Sequence, residues 1–273
     1  MPLHFQLRQT SSVPLEVEGI TPDRLREMSL AEIEKFEFFQ GNVKQPLAEF
    51  FRVNGSPADE QHVWSGDLAG VHWLGTKMNS GRIEVQGNIG RHLGSELKGG
   101  EIHVFGDVGD WCGAELHGGL IHVRGSAGHL AGSAYRGSVQ GMTRGTIIIG
   151  GDAGNECGHS LRRGLLYVAG NIGDLCGINM RAGTILVGGK SGIRPGAGMK
   201  RGMIAFLGNE RPPLLPTFRR ACLYRPDIFR LIFRHLRQSS APITEETLAA
   251  EFELYNGDLL EGGMGEILLR AKV

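Results

Sequence analysis

The chain has 273 residues, enough for one large domain or two small ones, and its 29 basic and 29 acidic residues cancel, so no net field draws it to nucleic acid or to an anionic membrane. Glycine is the outlier at 43 residues; the missing Gly-X-Y period excludes collagen, and the regular aliphatic spacing excludes disorder. No apolar run approaches the ~20 residues of a membrane helix, the first six residues lack signal-peptide features, and the four cysteines have neither disulfide-framework nor zinc spacing, so a cytoplasmic location is expected.

Taken in chain order, residues 1–60 read as an N-terminal cap. Pro22 suits the first position of a helix opened by Thr21, and Ser29-Leu30-Ala31-Glu32 is a capping box ahead of Ile33 and Phe36. Phe38, Phe39, Phe50 and Phe51 supply apolar area for covering an end. Residues 61–210 carry a repeat. Gly87, Gly106 and Gly125 lie 19 residues apart; after one step of 26, Gly151, Gly170, Gly189 and Gly208 resume the 19-residue spacing. In register the unit reads x-I-x-V-x-G-x-[IVA]-G-x-x-x-G-x-x-[LM]-x-x-G. Residues 211–273 read as a C-terminal cap. Arg211-Pro212-Pro213 stops the pattern, and a helix follows from Pro226 to Arg237. Ile228, Leu231, Ile232, His235 and Leu236 share one face of it, with Phe229 and Phe233 on a neighbouring stripe. A hairpin is expected over 252–269.

Alternation along Ile102-His103-Val104-Phe105 and its copies sends the first and third residues inward. Stacked copies then line up Ile83, Ile102 and Ile121, Val85, Val104 and Val123, and Met78, Leu97 and Leu116. One copy cannot bury these residues alone; a stack can. The pattern predicts an all-β right-handed parallel β-helix of 19-residue turns with small α/β caps, about 38 Å long at ~4.8 Å per strand. A left-handed hexapeptide helix would place aliphatic residues every six positions, which this unit does not.

Several side chains invite a chemical reading. Cys112, Cys157 and Cys176 share repeat position 12 with Leu93, Ala131 and Pro195, so they read as packing residues. His103 and His122 stack beside Glu84, yet Ile148, Tyr167 and Leu186 continue that row without a ligand. The glycine corners lack the following helix that a phosphate loop needs. No catalytic residue, cofactor site or metal site is assigned. Two features stand out. The 26-residue step expands one copy by seven residues across Gly132–Met142, and Tyr135 and Arg136 within it are candidate partner contacts. At positions 17 and 18, Arg144, Arg162, Arg163, Arg181, Lys200 and Arg201 recur, with Lys98 and His117 earlier; Arg162, Arg163, Arg181, Lys200 and Arg201 form a candidate polyanion-binding stripe.

The chain resembles the C subunits of the formylmethanofuran dehydrogenase and formyltransferase/hydrolase complexes. The resemblance is carried by the Pro14–Gly19 segment, the Ser29–Ile33 helix start, the Gly132–Met142 expansion, Leu215-Pro216-Thr217-Phe218, and the ending Tyr255–Leu259 with Gly262–Ile267. It implies a non-catalytic scaffold beside a formyltransferase subunit and a zinc amidohydrolase-like subunit. Those partners move formyl from formyl-tetrahydromethanopterin to a methanofuran-type carrier with a glutamate tail and release formate, in methylotroph one-carbon metabolism. Alternatives are the C subunit of an archaeal tungsten or molybdenum dehydrogenase, a glutamate synthase-like domain, and a carbohydrate-acting β-helix enzyme. The glutamate synthase-like domain normally sits in a longer chain with amidotransferase and flavin domains; the carbohydrate enzyme needs acidic or basic catalytic residues clustered on one strand face.

Overall fold

The computed structural model, which describes residues 1–239, 241 and 244–271, is mostly β. In chain order the strands are β1 (Leu3–Leu7), β2 (Leu15–Glu16), β3 (Glu37–Gln40), β4 (Val43–Pro46), β5 (Phe51–Asn54), β6 (Gln61–Ser65), β7 (Val71–His72), β8 (Arg82–Gln86) and β9 (Glu101–Val104). They continue with β10 (Leu120–Val123), β11 (Thr146–Ile149), β12 (Leu165–Val168), β13 (Thr184–Val187), β14 (Arg201–Phe206), β15 (Arg219–Tyr224), β16 (Phe252–Gly257) and β17 (Met264–Arg270). The helices are α1 (Pro22–Leu25), α2 (Leu30–Glu34), α3 (Leu47–Phe50), α4 (Ile228–Gln238) and α5 (Glu245–Ala249).

The expected right-handed parallel β-helix is not the architecture observed. Thirteen strands form one mixed sheet, ordered β15-β16-β17-β14-β13-β12-β11-β10-β9-β8-β6-β1-β5, and four form a second, β4-β3-β2-β7. Two causes are visible. Each repeat contributes one strand to the large sheet, while the residues at position 8 make only single parallel bridges, Leu68 to Ile89 through Ile172 to Ser191. Both ends are also antiparallel: β5 pairs with β1, and β15, β16 and β17 pair with one another in antiparallel order.

Between those ends the pairing is parallel and follows the repeat. Ile102 sits opposite Ile121, and Ile121 opposite Ile147, so the 26-residue step leaves the register intact. All three inward rows are buried. At the outer corners, side chains at position 7 accept from the backbone N–H of the next copy. Asn88 Oδ1 takes the Asp107 N–H (2.8 Å), Asp107 Oδ1 that of Ser126 (2.7 Å), Ser126 Oγ that of Asp152 (3.1 Å), and Asp152 Oδ1 that of Asn171 (2.6 Å). A second row at position 10 repeats this through Asp110, His129, Asn155 and Asp174. Each bond occupies a backbone donor at a corner where the sheet ladder has none to offer.

The local helix-start signals expected near the N-terminus are present. Pro22 opens α1, and Ser29 and Glu32 form the capping box of α2. Phe38, Phe50 and Phe51 are buried, whereas Phe39 is exposed. The C-terminal helix differs from its expected face. Phe229, Phe233 and Leu236 are its buried residues, while Ile228 and Leu231 are 50% and 63% exposed. The i, i+4, i+7 spacing of those three lays α4 over the outward side of β11–β14. There Ile148, Tyr167, Leu186 and Ala205 join one apolar cluster with the helix, and His235 Nε2 lies 3.1 Å from Thr146 Oγ1. This is why β11 and β12 are buried on both faces whereas β9 and β10 are not.

Candidate functional site

Two features contain the side chains that sequence reading singled out, Tyr135 and Arg136 in one and the basic stripe in the other. The first is the expanded copy. Trp73, His92 and Trp111 occupy position 11 of successive copies, all with left-handed backbone (φ 64°, 62° and 65°). Bulky side chains rarely adopt that conformation, and the stacked copies on either side hold it. The result is a row of half-buried rings: Trp73 lies 3.9 Å from His92 between ring centres, the two planes stacked and nearly parallel. Tyr135 returns across this row, its ring 4.8 Å from Trp111, and its Oη lies 2.7 Å from Ser95 Oγ and 2.9 Å from His92 Nδ1. The Tyr135 N–H donates to Glu115 Oε1 (3.1 Å). Burial, with His72 and Arg91 adding to it, holds the His92 imidazole down at about 4, and burial pushes the Tyr135 hydroxyl up to about 12. Tyr135 thus ties the expansion to two residues of one copy, 40 and 43 positions earlier, while Arg136, next in the chain, is exposed.

The second feature is a basic cleft of about 720 Å³. Arg144, Arg162, Arg163, Arg181 and Arg201 line it with His117, Thr143 and Gln140, the last supplied by the expansion; no carboxylate lines it. Backbone bonds between copies, Arg162 N–H to Met142 O (2.9 Å) and Arg181 N–H to Leu161 O (2.8 Å), set the rise from one guanidinium to the next. Among the described residues none of the five arginines has an ion-pair partner. Arg162, Arg163, Arg181 and Arg201 of the expected stripe line the cleft together with Arg144 and His117 of the same basic corner. Lys200 does not line the cleft; its Nζ is held 3.3 Å from Glu261. Position 18 is glycine in the two copies before Arg144 and arginine or Ala182 from there on. A Cβ on Gly118 would collide with the Lys98 carbonyl, whereas the later copies carry Arg144, Arg163, Ala182 and Arg201.

The other candidates have structural surroundings. Cys112, Cys157 and Cys176 are buried free thiols, the first two pushed up to about 12 by burial and Cys176 higher still. His103 Nε2 pairs with Glu101 Oε2 at 3.0 Å, and its ring centre is 6.0 Å from that of His122. Among the described residues no group of three or more His, Cys, Asp or Glu is placed to hold a metal ion, and no helix is long and apolar enough to cross a membrane.

The class defined by these features is a glycine-rich, mostly-β protein whose copied corners present a basic cleft and an aromatic row. No family model matches the chain. Over 82 residues it is 43% identical to the C subunit of molybdenum-containing formylmethanofuran dehydrogenase 1 from Methanothermobacter thermautotrophicus, a match covering 30% of this chain and 20% of that one. It is 39% identical over 92 residues to the C subunit of tungsten-containing formylmethanofuran dehydrogenase 2 from Methanococcus maripaludis, covering 33% and 34%. The match therefore spans a fifth to a third of these curated relatives. A chain in the crystal structure of the formyltransferase/hydrolase complex (FhcABCD) from Methylorubrum extorquens with methylofuran superposes with a TM-score of 0.91 at 30% identity, covering 98% of this chain and 100% of that one. The chain belongs to the family of formylmethanofuran dehydrogenase C subunits.

Proposed function

We propose that this chain is the non-catalytic scaffold subunit of a cytoplasmic formyltransferase/hydrolase complex. In that complex a formyltransferase subunit and a zinc amidohydrolase-like subunit pass formyl from formyl-tetrahydromethanopterin to a methanofuran-type carrier and release formate. The observation that carries the reading is the end-to-end likeness to a chain of such a complex, at a TM-score of 0.91 and 30% identity. A structural rather than catalytic role is supported by where the reactive groups go: the thiols at position 12 point into the core, and His92 and Tyr135 are spent on each other. The carrier's anionic tail fits the cleft of Arg144, Arg162, Arg163, Arg181 and Arg201, where guanidiniums without carboxylate partners offer charge-assisted hydrogen bonds.

A second reading, the C subunit of a molybdenum or tungsten dehydrogenase, is favoured by the short matches to those proteins. Purification of the chain from its source, with mass spectrometry and metal analysis of what accompanies it, separates the two. Formyltransferase and zinc-bearing partners are expected; a molybdenum- or tungsten-bearing partner establishes the second reading. Formyl transfer by the chain alone, after partner subunits are removed, overturns the non-catalytic role.

A further inference from the structure

The two edges of the large sheet are treated differently. At one edge, α2 and α3 pack against β5, whose Phe51 and Val53 are buried. At the other, β15 hydrogen-bonds to β16 on one side only. Five of its six residues, Arg219 through Leu223, are exposed, so side chains on both faces of the strand reach solvent. A six-residue strand bare on both faces and along its outer edge is what folded proteins ordinarily shorten, cover or interrupt with proline. Here Pro216 and Pro226 flank the strand without entering it; Arg219 and Arg220 charge its first half, the register against β16 shifts between Arg220 and Cys222, and Leu223 beyond the shift is 47% exposed. The chain then turns directly into α4, which presents Ile228 and Leu231 outward.

Charge narrows the occupant. Residues 219–238 contain six arginines and one acidic residue, Asp227. Arg219, Arg225 and Arg234 have no ion-pair partner among the described residues, and Arg220 reaches Glu253 at 3.3 Å. An extended acidic segment meets all three properties together: open backbone donors and acceptors, apolar side chains at one end, and unpaired guanidiniums around them.

We propose that β15 is a docking edge on which a partner protein adds an acidic β-strand, its flank resting on Ile228 and Leu231 of α4. The inference rests on the reading of the chain as part of a multi-protein complex, and goes beyond it in naming the surface and the chemistry of what binds there.

Cys222, in the middle of β15, is the exposed one of the four cysteines and reports on the edge without mutation; the other three are buried thiols. The experiment compares maleimide labelling of Cys222, read by intact mass, and amide exchange over 219–224, in the isolated chain and in the purified complex. Strand addition slows both by about ten-fold or more in the complex. The double substitution Arg219→Glu with Arg225→Glu returns them toward the free rates. If the complex assembles and Cys222 reacts as fast as in the free chain, the proposal is wrong while the scaffold reading stands. Protection of Cys222 with amides still exchanging at the free rate means packing without strand pairing, and also overturns it. Concentration-dependent protection in the isolated chain, with a dimer on sizing, assigns the edge to a second copy instead. A chain that brings down no partner at all removes the scaffold reading and this inference with it.

Discussion

His62 occupies an inward position of the large sheet, opposite Ile83, where every later copy carries an aliphatic residue. It is fully buried, edge-on to Phe5 at 5.0 Å, and neither ring nitrogen has a hydrogen-bond partner. Burial holds its imidazole down at about 3, below the usual ~6.5. A depressed histidine is neutral in the fold and charges first in the unfolded chain. Its contribution is therefore whole above ~6.5 and is lost as pH falls toward 3, with a slope of at most ~1.4 kcal/mol per pH unit. His62→Phe should flatten that slope: urea midpoints at pH 7.5 and 4.5 should lie closer together than in the parent, with the variant the more stable at pH 4.5. Equal slopes for the two proteins would show that His62 is solvated. Its neighbour Trp64 is also buried with Nε1 unpaired. Neither residue was singled out from the sequence, and their orphaned nitrogens could not be, because that depends on how the first strand closes over them.

At the scale of elements, what the sequence disclosed was what repeats. The inward rows, the cap of α2, the end hairpin and the packing role of the cysteines all follow from local pattern. The missed features arise where one element answers another. The choice of Phe229, Phe233 and Leu236 as the buried stripe of α4 depends on the outward row Ile148, Tyr167 and Leu186 beneath it, and β15 has no apolar alternation to betray it. The aromatic row was hidden because its rings sit 19 residues apart at a left-handed position where glycine is the ordinary choice. The ladder at position 7 was present only as a column of Asn, Asp and Ser, residue types that any exposed turn also carries. The expanded copy shows both sides of this. Tyr135, singled out as a partner contact, is half-buried and bonded within the chain, which leaves Arg136 and the exposed Val139 as its outward tip. Deleting residues 134–140 places Gly141 at the left-handed corner position and restores the 19-residue spacing. The shortened chain should keep its circular dichroism spectrum and bind its partners more weakly; wild-type assembly by the deletion variant would remove the expansion from the interface.

For the whole molecule, the sequence announced stacked parallel strands but not the mixed sheet they belong to, since the antiparallel ends are set by segments outside the repeat. The basic cleft was legible as a column of arginines; its concavity and the wall given by Gln140 were not. Exposed ion pairs contribute only ~0.2–1 kcal/mol each, so an anionic tail must engage several guanidiniums at once, and its affinity should fall steeply with salt. Replacing Arg163, Arg181 and Arg201 together by glutamine should weaken a long-tailed carrier about ten-fold or more at low salt while a short-tailed one changes little. An equal response from both carriers, with the complex intact, would make the cleft a contact between subunits.

The corner ladders also have a direction. Each side chain accepts from the copy after it, never from the copy before, and the expanded copy passes the bond on through Ser126 to Asp152 and His129 to Asn155 without a break. The number of steps in such a series changes only by whole copies; residues added as a loop between steps, as in the expanded copy, leave the register where it was. The molecule is in that sense a gauge: the small sheet at one end and the bare strand at the other stand apart by an integral number of steps of ~4.8 Å. Whatever is seated on the two ends has its separation counted in repeats, and gene duplication within the series could change that distance only in the same increments.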